Sequence, residues 1–428
     1  MIEIGKVIAS TPGTIQVILK DVEVFENNKP NIRISRYVVI EDGNDLKILA
    51  SIQNISAVQS NDAKPISYTL SCSPIGCYSE DEDGIHFRQG GVNLPSPTEP
   101  VYIPEDGIIN AIFSSNDNFS FYVGQLSNNK TVKYFVDGNR FFGKHIAVVG
   151  STGSGKSCAV ARLLQNIMKI NQGHNENVGS LKNSHVIIFD IHSEYHTAFP
   201  NANFIDISNL VLPYWLLNSD ELQELFIDTE ANDHRQRNVL KEAIVNNRKK
   251  YFDGDSALKE KIHFDSPLFF DVHEILMYIK NRNNEKKDKS NDILYKTADG
   301  QEHKFNIRNA EYLFEEEVEY TGSSASGTNN GSLINFIDRL ENKINDKRLE
   351  FLFGEDSKKI SFEETLSELL GYQEDRKSNI TILDLSGVPF DVLSITVSLI
   401  SRILFEFGYY YKRMRTENSL GEDGVGND

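Results

Sequence analysis

The sequence predicts an α/β protein built on a parallel sheet, preceded by a small all-β domain and interrupted by a helical insertion. Three observations carry this. A glycine-rich octet, Gly150-Ser-Thr-Gly-Ser-Gly-Lys156-Ser157, follows the apolar run His145-Ile-Ala-Val-Val149 and leads into helical periodicity over residues 159–169. Two further apolar runs, Val186-Ile-Ile-Phe189 and Ile380-Thr-Ile-Leu383, each end in an aspartate, Asp190 and Asp384. Residues 1–125 instead carry short β patterns separated by turn residues.

The β patterns come first. Ile15-Gln-Val-Ile-Leu19, Tyr37-Val-Val-Ile40, Leu46-Lys-Ile-Leu-Ala50 and Phe119-Ser-Phe-Tyr-Val123 are rich in β-branched and aromatic residues. Gly, Pro, Asn and Asp punctuate them, as in Glu41-Asp-Gly-Asn44. Short strands at this spacing predict a small barrel or a sandwich. From residue 145 the three apolar runs each read as a strand buried on both faces of a parallel sheet, with carboxylates at the strand ends. Between the second and third runs the character changes. Residues 216–252 and 333–353 have amphipathic helical spacing, residues 279–290 form a polar, mixed-charge run, and residues 322–332 have the composition of a flexible loop. The expected organisation is a β-barrel over 1–125, a first part of the core over 126–209, a helical insertion over 210–375, and a shortened second part of the core over 376–428. Residues 416–428, polar and glycine-rich, read as a loop or a fraying tail.

Composition narrows the class. No apolar run approaches the ~18 residues that span a bilayer, and the N-terminus lacks the pattern of a signal peptide. Three cysteines, Cys72, Cys77 and Cys158, are too few for a disulfide framework and fit a reducing cytoplasm. A net charge of −18 argues against a protein that coats DNA generally, although a ring with a locally basic channel stays compatible with it. Arg235, Arg237, Lys241, Arg248, Lys249 and Lys250 fall on one helical stretch, read as a solvated face in preference to a DNA surface.

The octet satisfies G-x-x-x-x-G-K-[ST] in full. Gly150, Gly153 and Gly155 let the backbone curl so that successive N–H groups point at phosphate oxygens. The following helix adds the positive end of its dipole. Gly150, Thr152, Gly153, Ser154, Gly155, Lys156, Ser157 and Cys158 are the candidate nucleotide contacts, with ATP and Mg²⁺ the expected ligands. Lys156 is expected to reach the β- and γ-phosphates and Ser157 to ligate Mg²⁺. Cys158 reads as a small residue packed under the loop, not as a reactive thiol.

Hydrolysis requires carboxylates as well, to hold the metal and orient water. Asp190 and Glu194, in Val186-Ile-Ile-Phe-Asp190-Ile-His192-Ser-Glu194-Tyr195, are the first candidates, and Asp384 a second metal-side candidate. Each aspartate could instead cap the turn after its strand. His192 reads equally as a γ-phosphate sensor and as a hydrogen-bonded loop histidine.

With these residues in place the chain resembles the HerA family of bacterial and archaeal ATPases, relatives of the FtsK motor proteins. The resemblance runs through Ile4-Gly-Lys-Val-Ile8, Ser73-Pro-Ile-Gly76, Gly90-Gly-Val-Asn-Leu-Pro95, the P-loop, Phe189-Asp-Ile-His-Ser-Glu-Tyr195, Leu212-Pro-Tyr-Trp215, Asp220-Glu-Leu and Leu383-Asp-Leu-Ser386-Gly-Val-Pro389. It implies a RecA-like core assembling into a homo-hexamer, with ATP at subunit interfaces and double-stranded DNA in the central pore. It implies as partners a nuclease or, in anti-phage defence pairs, a sirtuin-like NADase effector. The family's late Glu-Glu-Ala-His type motif and the arginine finger after it are absent here. Either the chain is a fragment, or it is an ATPase without its usual catalytic glutamate. Two rival readings remain beside the motor: a nucleotide-loaded scaffold ring that activates an effector, and an unrelated P-loop enzyme. A GTPase needs an Asn-Lys-x-Asp base reader, and Asn342-Lys-Ile-Asn345 lacks its aspartate.

Overall fold

Alternation of apolar and polar residues decides the architecture of the first unit. The computed structural model describes residues 1–41, 46–58, 66–82, 84–90, 93–113, 120–127, 129–170, 185–227, 234–290, 292–296, 299–305, 313–314, 318–322, 324–325, 331–373 and 376–419. β1 (Ile2–Thr11) and β2 (Thr14–Leu19) form a hairpin, and along β2 every second residue, Ile15, Val17 and Leu19, is buried. After α1 (Val22–Asn28) come β3 (Tyr37–Glu41), β4 (Lys47–Val58), β5 (Ser67–Asp81), β6 (Gly84–Gln89) and β7 (Pro100–Ile103). Among the described residues these strands form one antiparallel sheet in the order β2-β1-β7-β3-β4-β5-β6. β2 also pairs with β5, Ile15 opposite Cys72, so six of the seven close into a barrel. Closure satisfies the edge amides that an open sheet would leave exposed, and it settles barrel against sandwich.

Ile4, Val7, Val17, Val38, Ile40, Ile52, Leu70 and Val101 fill the barrel interior. A Cβ on Gly5 would lie 2.1 Å from the carbonyl oxygen of Ile18, so only glycine permits that approach of β1 to β2. α2 (Asp106–Phe113), the hairpin of β8 (Ser120–Leu126) and β9 (Asn129–Asp137), and α3 (Gly138–Phe142) follow. Ile109, Ile112 and Val132 bury a second cluster with Val39, Leu49 and Tyr78. The expected Glu41-Asp-Gly-Asn44 turn lies largely outside the described residues, as does Phe119.

The strand expected before the octet is corrected. Among the described residues, 145–150 pair with no strand, and Ile146, Val148 and Val149 are exposed, Val149 to 88 %. A short apolar run becomes a buried strand only when neighbours take its amides, and among the described residues none is paired with this run. The helix after the octet, α4 (Lys156–Ile170), forms as expected.

The chain forms two compact units, Met1–Asn183 and Ser184–Asp428. The second begins with β10 (Val186–Asp190) and β11 (Asn203–Ile205). Its helical part holds α5 (Ser219–Phe226), α6 (His234–Tyr251), α7 (Ser256–Lys259) and α8 (Val272–Asn284). Then come β12 (Lys286–Lys287), β13 (Ile293–Lys296), β14 (Glu302–Phe305), β15 (Glu319–Tyr320) and β16 (Ser324–Ala325), which pair antiparallel. α9 (Ile334–Ile344), α10 (Glu350–Phe353), α11 (Glu355–Lys359) and α12 (Phe362–Leu369) lead through the hairpin of β17 (Tyr372–Gln373) and β18 (Arg376–Lys377) to β19 (Ile380–Asp384) and α13 (Phe390–Ser419). The region read as helical therefore also carries a small antiparallel sheet. Leu222, Leu225, Phe226, Leu240, Ile244, Ile275, Phe336 and Leu340 belong to its core.

β10, β19 and β11 form a parallel sheet in that order. The central strand β19 is buried along its whole length, as a strand between two neighbours should be. β10 lies at the edge and is only half-buried up to Asp190, so burial on both faces is corrected for it.

Three other expectations change. Arg248, read on a solvated face, is 1 % exposed. The polar run 279–290 turns partly inward, with Asn281, Arg282, Asn283 and Glu285 buried. The Arg282 guanidinium donates to Glu285 at 2.6 Å, and Asn283 accepts the Leu333 amide at 3.1 Å. Buried polar groups persist when paired in this way. Residues 416–419 continue α13 instead of forming a tail, and 420–428 lie outside the described residues, as do 323 and 326–330 of the predicted loop.

Candidate nucleotide-binding site

The octet folds as a turn closed by the start of α4. The amide of Ser154 donates to the Ser151 carbonyl at 3.2 Å, and the Ala159 amide to the Gly155 carbonyl at 2.8 Å. Gly153 and Gly155 hold φ of +78° and +88°, the left-handed region that costs an L-residue ~1 kcal/mol or more. A Cβ on Gly150 would sit 2.4 Å from Ser154 Oγ. These glycines let the loop backbone curl ahead of α4, where the first helical amides point toward the loop. Lys156 Nζ donates to the Ser151 carbonyl at 3.0 Å, so the ammonium rests over the same loop. A triphosphate fits that set of donors, all positive or N–H, at a helix start. Ser157 is half-buried, whereas Thr152 and Ser154 are exposed. Cys158 is exposed too, which corrects its placement under the loop.

The carboxylates belong to the second unit. Asp190 and Asp384 end adjacent parallel strands in direct register, at the carboxyl edge where open parallel sheets place ligand sites. Asp190, 3 % exposed, accepts the amides of His192 at 3.2 Å and Tyr195 at 2.9 Å, and so caps the turn after β10. Asp384 accepts the Ser386 hydroxyl at 2.6 Å and amide at 3.0 Å on one oxygen, and the Ser193 hydroxyl at 2.6 Å on the other. Burial alone would raise the Asp384 pKa. The hydrogen bonds from Ser193 and Ser386, with the nearby His196, outweigh it and hold the carboxyl below its ordinary range.

His192 and Glu194 stand exposed on the loop between. Among the described residues no three or more His, Cys, Asp or Glu side chains group to cage a metal. Mg²⁺ takes one or two carboxylates together with phosphate oxygens and water. Ser193 and Ser386 were not singled out in the sequence. The signal for Ser386 lay in Asp384-Leu-Ser-Gly387, one turn after a strand end, where a hydroxyl commonly folds back. Nothing in the sequence marked Ser193 as reaching a residue 191 positions away.

Glu194→Gln preserves shape on an exposed loop, so folding should be unaffected. If Glu194 orients water, phosphate release should fall about a hundredfold; wild-type turnover in the variant would remove it from the catalytic set.

A family model described as "Helicase HerA, central domain" matches residues 121–404, well over half of the chain. The chain belongs to the HerA family. Among its curated relatives, a probable helicase of Methanocaldococcus jannaschii is 24 % identical over 260 residues, 54 % of this chain and 46 % of the relative. A DNA double-strand break repair helicase HerA of Sulfolobus acidocaldarius is 29 % identical over 212 residues, 48 % of this chain and 37 % of the relative. A probable repair helicase HerA of M. jannaschii matches over 99 residues, 23 % of this chain and 17 % of the relative, at 29 % identity. The chain thus spans less than half the length of these relatives. The matched region includes the octet, both strand-end aspartates and the region between them.

Proposed function

We propose that this HerA-family chain carries the ATP-binding, RecA-like core of an ATP-driven DNA translocase. The observation behind it is the complete octet, with two left-handed glycines and a helix starting at Lys156. In this reading the amides of residues 150–157 and the Lys156 ammonium bind the triphosphate. The metal-side groups of this reading are the Ser157 hydroxyl in the first unit and, in the second, the Asp190 and Asp384 carboxylates; Mg²⁺, when bound, would neutralise charge on the phosphate oxygens. Glu194 orients the attacking water, a role that needs an acceptor in an exposed loop beside the metal carboxylates.

The relatives named as DNA repair helicases support double-stranded DNA as the track. A homo-hexameric ring around DNA, and pairing with a nuclease or a sirtuin-like NADase in anti-phage defence, extend the same family reading. Among the described residues no helix is long and apolar enough to cross a membrane.

The test is ATP turnover with and without duplex DNA. A translocase should be stimulated severalfold, with the gain lost as salt rises because phosphate contacts are electrostatic. ATP binding with flat turnover would favour the scaffold ring that assembles an effector.

A further inference from the structure

We infer that Ser193 is a positioning residue for Asp384, the tie that sets the metal-side carboxylate and the Glu194 loop in one arrangement. The inference rests on the proposed ATPase site and deepens it. Three features of Ser193 converge. Its φ is +55°, inside the left-handed region that serine occupies only at a cost, with glycine the natural occupant. Its Oγ donates to Asp384 Oδ2 at 2.6 Å, a short bond to an ionised acceptor. And it stands between His192 and Glu194, on a loop also anchored by the Asp190 carboxylate bonds to the amides of His192 and Tyr195.

Those amide bonds fix the loop to β10, but they leave Asp384 untouched. The Ser193 hydroxyl joins the loop to the next strand, β19. With Ser386 donating twice to Oδ1, both carboxylate oxygens of Asp384 are held and its plane is fixed before any ligand arrives. Glycine would relax the backbone and alanine would keep its strain, yet both would lose the tie. Serine therefore keeps a strained backbone for the sake of its hydroxyl, a combination that points to positioning and not to loop stability. Outer hydrogen bonds of this kind orient a metal's carboxylate and are worth about ten- to a hundredfold in metal affinity when removed.

The experiment compares ATP affinity by calorimetry in Mg²⁺ and in EDTA for the wild type, Ser193→Gly, Ser193→Ala and Lys156→Ala, with thermal unfolding alongside. Ser193→Gly should unfold at the same or a higher temperature and bind ATP in EDTA as the wild type does. Its gain in affinity on adding Mg²⁺ should shrink about tenfold. Ser193→Ala should show the same loss, so strain relief is not its cause. If the Mg²⁺ gain stays within about twofold of wild type in both variants, a range too small for a lost charged hydrogen bond, the positioning role is overturned. A wild type that gains nothing from Mg²⁺ overturns it as well, through Asp384. Failure of the wild type to bind ATP in either condition would instead bring down the nucleotide reading beneath it, with Lys156→Ala indistinguishable from wild type.

Discussion

Lys156→Ala is expected to weaken ATP binding by about a hundredfold or more. The ammonium is the one side-chain cation in the octet, and charged hydrogen bonds to phosphate oxygens contribute about 1.5–3 kcal/mol each. Folding should hardly notice. Lys156 is half-buried, and its hydrogen bond goes to the Ser151 carbonyl in a loop that is otherwise exposed. A change of about 0.5 kcal/mol or less in unfolding free energy is expected. Calorimetric titration with ATP separates the two effects in one preparation. Unchanged affinity in a folded variant would remove phosphate binding from residues 150–157, and with it both the translocase and the scaffold readings.

Arg248→Ala should be among the most destabilising single changes in the second unit, by about 3–5 kcal/mol. The guanidinium on α6 donates from Nε to the Leu268 carbonyl at 2.9 Å and from Nη2 to the Trp215 carbonyl at 3.0 Å. Nη1 serves the carbonyls of Phe264 and His263. The group also lies over the Phe270 ring, 5.1 Å from its centroid. Burial pulls the Arg248 pKa down to about 10, with Asp265 acting the other way, so the side chain is still a cation at neutral pH. Removing it takes the donor from four carbonyls, that of the buried Phe264 among them, and leaves a cavity. Lysine should recover little, because one ammonium cannot span carbonyls fixed for a planar fork. Urea unfolding of both variants gives the measurement. A loss under about 1 kcal/mol in Arg248→Ala would mean that water reaches those carbonyls, and that the cation is not what joins residues 263–268 to the segment at Trp215.

Arg248 also marks where sequence reading fails. A run of Arg and Lys on a helix looks solvated because most such runs are, and nothing local tells Arg248, which is buried, from Arg235, which is exposed. Whether carbonyls converge on one of them depends on residues 15 to 33 positions away. The same holds for residues 145–150. Their composition suits a buried strand, yet a strand exists only where another accepts its hydrogen bonds, and among the described residues none is paired with them. Asp190 and Asp384 look alike in sequence, each closing an apolar run. The structure gives them different neighbours: backbone amides around Asp190, serine hydroxyls and an amide around Asp384.

What the sequence determined by itself was local. β-branched and aromatic runs marked β2, β3 and the start of β4, and glycine spacing marked a turn, in which Gly153 and Gly155 are left-handed. These follow from side-chain size and backbone sterics within a few residues. Tertiary structure alone decided that β2 meets β5 to close the barrel, that Asp190 lies in register with Asp384, and that Ser193 reaches across to Asp384. Each of those joins residues distant along the chain, and its energy comes from groups that no local pattern brings together.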